Sequence, residues 1–178
     1  MEFIKNIEKQ LESIFKGAPK IPENGRKSIV EIMPWIALVF GILQLLAAWA
    51  LYGLTKVAVG YIELADQISR AYGGSGVGLS SGEKTFIYVG IILVLIDAVI
   101  LLMAFPKLQQ KLKSGWDLLF LASLLNVVYA VASIFMNGRG IGSFILSLIG
   151  SAIGFWILYQ IKDHYKSSAS TTSAAPKS

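Results

Sequence analysis

The sequence lacks cysteine altogether and contains a single histidine, His164, among its 178 residues. The absence of cysteine excludes a disulfide, a thiolate metal site and a cysteine nucleophile. The sequence also shows no Ser/His/Asp set, no cluster of metal ligands and no glycine-rich nucleotide motif. We therefore expect neither enzymatic activity nor a bound cofactor or metal.

Charge is also scarce: charged residues form 15% of the chain, hydrophobic residues form 54%, and the mean hydropathy is +0.62. This composition indicates a membrane protein rather than a water-soluble domain. Four apolar stretches have the length of a membrane span, at residues 34–54, 86–105, 116–136 and 141–161. Because about 20 helical residues cross the hydrocarbon core and the backbone must satisfy its own hydrogen bonds there, we predict an all-α bundle of four transmembrane helices.

The segment before the first span, residues 1–33, is predicted to form a cytosolic amphipathic helix and a connector. Apolar residues recur at helical spacing from Phe3 to Phe15, and the glycines and prolines between Gly17 and Gly25 break this pattern. Such a helix can anchor the chain or dock a partner, but we favour a helix that rests on the lipid surface or on the bundle. Pro34 is expected in the first turn of the first span.

Residues 34–166 form the predicted membrane domain, and its longest loop follows the first span. Apolar residues between Val57 and Tyr72 have helical spacing, which predicts a second amphipathic helix that either continues the first span or folds over the outer mouth. Pro106 is expected to end the second span. Residues 167–178 are rich in Ser, Thr and Ala and too poor in apolar side chains to fold, so we predict a disordered tail.

The basic residues are distributed unevenly around the four spans. Twelve lysines and arginines lie before the first span, between the second and third or after the fourth, whereas four lie in the other two loops. Because short basic loops stay in the cytosol, both termini are predicted to be cytosolic, with Trp116 at the headgroup level of that side. We expect anionic membrane lipids rather than nucleic acid as partners. The bases predicted to contact lipid headgroups are Arg26, Lys27, Lys107, Lys111, Lys113 and Lys162.

Three polar side chains are expected near the middle of the bilayer, because Gln44, Asp97 and Asn126 fall near the centres of the first three spans. Each lies in a row of small residues at helical spacing, so we expect all three to face neighbouring helices. A charged carboxylate at this depth costs about 2.5 kcal/mol or more. Since burial favours the neutral acid, Asp97 is expected to donate a hydrogen bond to Gln44 or Asn126. The cluster can bind a proton or cation, or it can hold helices together, and we favour packing.

Small residues repeat along one side of the fourth span. This predicted packing face consists of Ser143, Ser147, Gly150, Ser151 and Gly154. Small side chains let another helix backbone approach closely, so we expect a second helix of the bundle or of an oligomer to pack there.

Two segments carry a resemblance to a known class: AFPKLQQKLKSGWDLLF at residues 104–120 and GSAIGFWILYQIK at residues 150–162. Here the chain resembles small four-span membrane proteins of reduced-genome (candidate-phyla) bacteria. The resemblance implies residence in the bacterial inner membrane and implies no activity.

These observations predict a structural or accessory membrane component that acts through helix–helix and lipid contacts. It would work as a homo-oligomer or with a partner in a membrane complex. The alternative is a small oligomeric transport or channel unit that uses Asp97 as a proton or cation site.

Overall fold

Five α-helices and one short 3-10 turn make up the part of the chain described by the structure, a computed structural model. It describes residues 2–137 and 141–166, and within these ranges it does not describe the side chains of residues 2–5, 132–137, 141–144 and 147. The helices are α1 (Glu2–Phe15), α2 (Glu23–Ala71), α3 (Ser81–Gln109), α4 (Lys113–Asn137) and α5 (Ile141–Ile161), and the 3-10 turn is Lys162–His164. The predicted tail, residues 167–178, lies outside the described residues.

Three helical segments are long and apolar enough to cross a membrane: Glu23–Ala71, Ser81–Gln109 and Lys113–Val131. The described chain is therefore all-helical and of the membrane class. The fourth predicted span coincides with α5, which has 21 residues. Because several α5 side chains lie outside the described residues, the four-span arrangement is taken up below as a proposal.

Helix α2 is much longer than the predicted first span. It begins at Glu23, so Pro34 lies inside the helix, and the predictions of a connector up to residue 33 and of Pro34 in a first turn are wrong. Val30, Pro34 and Ala37 are all buried and recur at helical spacing. This continuous buried face keeps the chain helical, although Pro34 lacks the N–H that would bond one turn back.

At its other end α2 runs straight through the predicted second amphipathic segment to Ala71. Of the two alternatives, continuation of the first span is therefore the observed one. The chain then turns back, and Ser80 caps α3 by accepting a hydrogen bond from the Glu83 N–H while the Glu83 carboxylate accepts one from the Ser80 N–H. We call residues 55–85, the end of α2 with this returning segment, the arm.

The connection between α3 and α4 is shorter than predicted. Pro106 lies inside α3, which continues to Gln109, so Pro106 does not end the helix. The turn is completed by Lys111 at φ +53°. The backbone of this turn pairs with Lys166, the last described residue: the Lys113 N–H donates to Lys166 O and the Lys166 N–H donates to Lys111 O, both at 2.8 Å.

The main core lies at this same end of the bundle, which we call the α1 end. Trp116 is fully buried, stacks on Phe120 with ring centroids 5.4 Å apart, and donates its indole N–H to Leu158 O at 2.7 Å. The ring therefore fills the core and does not face lipid headgroups, whereas its depth in the membrane stays a prediction. The apolar residues Ile7 and Leu11 of α1 pack against this core.

Candidate functional site

The predicted polar cluster is assembled around one carboxyl oxygen of Asp97. The side-chain amide of Gln44 on α2 donates to Asp97 Oδ2 at 2.8 Å, and that of Asn126 on α4 donates to the same oxygen at 3.0 Å. Asn126 Nδ2 also lies 3.0 Å from Ala122 O, one turn earlier in its own helix. Asp97 is only 4% exposed. One carboxyl oxygen thus joins three helices.

The direction of these hydrogen bonds differs from the expectation that Asp97 donates. Here the carboxyl accepts from both amides, because each amide presents its NH₂ group, and a single protonated oxygen could donate only once. Asp97 Oδ1 and Gln44 Oε1 are buried and have no hydrogen-bond partner among the described residues. The cluster therefore retains two acceptor atoms that packing alone does not satisfy.

Close packing between α2 and α3 positions the cluster. Ala37, Gly41 and Ala48, which flank Gln44 along α2, are buried as the row of small residues predicts. A Cβ built at Gly41 would lie 3.0 Å from the Leu102 side chain. The two helices therefore approach closely one turn from Gln44. This close contact lets the Asp97 side chain on α3 reach α2.

The side of the cluster toward α4 is more open. Asn126 is exposed although its amide reaches Asp97. The cluster is thus buried at Asp97 and open at Asn126.

The predicted packing face of α5 is not used within the described chain. A Cβ built at Gly150 or Gly154 would meet no atom within 4 Å among the described residues, and Ser151 is half-buried. The side chains of Ser143 and Ser147 lie outside the described residues. Packing of this face against another helix of the same chain is therefore not observed at the two glycines, and packing against a second copy stays a prediction.

The six bases predicted at the lipid headgroups have different surroundings. Four of them lie near acids: Arg26 and Lys27 near Glu23, and Lys113 and Lys162 near Glu8. Lys107 is half-buried and Lys111 is exposed. Several of these bases are therefore partly neutralised within the protein before any lipid is considered.

Lys162 is the most strongly engaged of these bases, and its acidic partners were not predicted. Its ammonium lies 2.5 Å from the Glu12 carboxylate and 3.1 Å from that of Glu8, about 150 residues away in the sequence. Burial lowers the pKa of Lys162, but the hydrogen bonds to Glu12 and Glu8 outweigh it, so the pKa is raised overall. The i, i+4 spacing of the two acids is the only local signal of such a site.

No family model matches the chain, and no curated protein or solved structure matches it either. Among the described residues, no group of three His, Cys, Asp or Glu side chains is placed to hold a metal ion.

Proposed function

We propose that the protein is a structural or accessory component of a bacterial cytoplasmic membrane. In this proposal four helices span the bilayer, both termini are cytosolic, and the protein assembles with a second copy of itself through helix–helix contacts. Membrane-like helices, the uneven distribution of bases and an apolar row on the arm support it.

The apolar row on the arm is the observation that carries this proposal. Helix α2 has 49 residues and is about 73 Å long, whereas the hydrocarbon core is only about 30 Å thick. With Gln44 near mid-membrane, residues 55–71 extend about 25 Å beyond the span. Five apolar side chains in and beside this extension are each more than half exposed: Leu54, Val57, Tyr61, Leu64 and Ile68.

The spacing of this row favours another helix as its partner. Its members are separated by alternating steps of three and four residues, which is the pattern of side chains that interlock between two helices in a coiled coil. Membrane anchoring holds two copies parallel, so identical rows can face each other about a two-fold axis. A row of this kind in contact with water would otherwise remain an unpaired apolar patch.

The arm is held in a defined shape, as a docking surface requires. Asp66 Oδ1 accepts hydrogen bonds from the N–H groups of Val77 at 2.8 Å and Gly78 at 2.9 Å. Lys84 reaches back to Glu63 at 2.6 Å. Gly76 has φ +83°, and a Cβ there would lie 2.5 Å from Asp66 Oδ1, so this turn requires glycine.

A cross-linking experiment tests this proposal directly, because the chain contains no native cysteine. Val57→Cys places a thiol on the apolar row, and Lys56→Cys places one on the charged side of the same turn. Treatment of membranes with a short bismaleimide should give a dimer band for Val57→Cys and little for Lys56→Cys. Equal cross-linking of both variants, or a monomeric mass for the wild type in mild detergent, would contradict the proposal.

A second candidate function, proton or cation transport through Asp97, is favoured by a specific observation. The unpartnered Oδ1 of Asp97 and the exposed Asn126 leave the cluster with a free acceptor and an open side. Asp97→Asn keeps the shape but cannot change its charge. If the cluster only packs helices, the variant should be as stable as the wild type or more so; if it transports ions, a flux present with wild-type protein in liposomes should disappear.

A further inference from the structure

A polar cavity of about 410 Å³ lies at the α1 end, between α1, the following connector and the end of α5. Most of its charged lining residues are basic: Lys9, Lys16, Lys20, Arg26 and Lys162 line it together with the acids Glu12 and Asp163. The rings of Phe15 and Tyr159 form part of its wall. We call this space the basic cavity.

The walls of the basic cavity are fixed by contacts between distant parts of the chain. Phe15 stacks on Tyr159 with ring centroids 5.7 Å apart, and the Tyr159 hydroxyl donates to Glu8 O at 2.7 Å. Pro19 O in the connector accepts hydrogen bonds from the side chains of Trp156 at 3.1 Å and Gln160 at 3.2 Å. The cavity is therefore built by the fold of the chain, and Lys9, Lys16 and Lys20 are exposed along its lining.

The basic charge of the cavity exceeds what the protein neutralises. Glu12 is already engaged by Lys162, and one Arg26 nitrogen, Nη2, contacts Glu23 at 2.6 Å. Arg26 Nε is buried without a hydrogen-bond partner among the described residues. The other three lysines of the lining, Lys9, Lys16 and Lys20, form no ion pair within the described part of the chain.

We propose that the basic cavity binds a phosphate group. Phosphate offers several acceptor oxygens and a negative charge, which match the ammonium groups of the three lysines that form no ion pair. The cavity volume lies within the range of small-ligand sites. The phosphate belongs either to the headgroup of an anionic lipid or to a soluble phosphate compound. This site is distinct from the proposed assembly surface, since it lies at the opposite end of the molecule from the arm.

Titration calorimetry on the full chain in mild detergent tests the site. The probes are dioctanoyl-phosphatidylglycerol, dioctanoyl-phosphatidylcholine and inorganic phosphate. We expect phosphatidylglycerol to bind and phosphatidylcholine to bind at least tenfold more weakly. Loss of a base near the membrane weakens anionic-lipid binding about fivefold, so Lys16→Gln with Lys20→Gln should weaken it about 30-fold.

The matched control is Lys56→Gln with Lys84→Gln, which removes the same charge from the arm, outside both the cavity lining and the bases predicted to contact lipid headgroups. This variant should change the affinity by less than about fivefold, and circular dichroism should show both double variants folded. If inorganic phosphate competes with phosphatidylglycerol, the ligand is a soluble phosphate compound. If it does not compete, the ligand is the lipid headgroup. Equal affinity for the two lipids without phosphate binding, or equal losses in the two double variants, would overturn the proposal.

Discussion

Large apolar side chains are buried at one end of the molecule and exposed at the other. At the α1 end, Trp116 and Phe120 are buried together in a core that includes residues of α5, and residues of α1 pack against it. Toward the arm, Trp49 is 81% exposed and Tyr72 is 89% exposed. The same residue types therefore fill the core at one end, whereas at the other they are exposed on the surface of the described chain.

Substitutions at the two ends should therefore affect different properties of the protein. The α1 end combines the main core, the ion pairs of Lys162 and the basic cavity, so changes there should affect folding and ligand binding. The arm is held by hydrogen bonds around Asp66 and has few buried apolar side chains. Changes there should affect local order and assembly but leave the bundle stable.

Replacing the buried tryptophan should have the largest effect. Trp116→Ala removes a ring from the core and its hydrogen bond to Leu158 O, so the free energy of unfolding should fall by about 3–5 kcal/mol. Trp49→Ala removes the same side chain from an exposed position and should change the stability by less than about 0.5 kcal/mol. Thermal unfolding in mild detergent measures the stability of both variants. Equal losses of stability would contradict the predicted difference between the two ends.

A substitution at Gly115 should have a smaller effect on stability and tests the same difference between the two ends. A Cβ at this position would lie 2.8 Å from Leu108 N and 2.9 Å from Lys107 C, so Gly115→Ala forces α3 and α4 apart at their turn. Overpacking of this kind should lower the stability by about 1–3 kcal/mol. In the matched variant Gly53→Ala the new methyl group meets nothing within 4 Å among the described residues and should be neutral or slightly stabilising. A destabilising effect at Gly53 would indicate a neighbour on that side.

The sequence predicted the features that depend on local spacing. The lengths of the apolar stretches locate the helices, and counting residues from their ends places Gln44, Asp97 and Asn126 at one level, where the structure brings them together. Contacts across many residues have no such local signature. Nothing near Trp116 indicates that Leu158 accepts its N–H, and nothing near Lys162 indicates Glu12.

The prolines show a second reason why predicted helix boundaries differ from the observed ones. Pro34 and Pro106 are typical of helix boundaries, but both lie inside helices. Buried neighbours at helical spacing, such as Val30 and Ala37 around Pro34, stabilise the continuous helix enough to outweigh one missing hydrogen bond. Tertiary packing of this kind is not visible in a local pattern.

The α1 end should also lose stability in base. Burial raises the pKa of Tyr165 to about 12, whereas a tyrosine in the unfolded chain titrates near about 10. Because the folded pKa is raised, this contribution is complete below about pH 10 and is lost as the pH rises through the folded value. Tyr165→Phe should therefore reduce the fall in Tm between about pH 10 and 12. The exposed Tyr72→Phe should leave that fall unchanged, and an equal effect of both variants would contradict the assignment.

The arm should respond in the opposite direction, and with the smallest effect of these four changes. Hydrogen bonds from the Gly78 and Val77 N–H groups, with the nearby Arg70 charge, hold the pKa of Asp66 below its usual value. Because the folded pKa is lowered, the stabilisation is present above the unfolded value of about 3.9 and is lost as the pH falls through the folded one. Protection of the Val77 and Gly78 amides against hydrogen exchange should therefore be lost in acid, and also in Asp66→Ala at neutral pH, because alanine has no side-chain oxygen to accept their hydrogen bonds. Amides inside the bundle, such as that of Ala48, should keep their protection in that variant, because the arm is anchored locally. Loss of protection throughout the bundle would show that the two ends are coupled and that the arm contributes to the global fold.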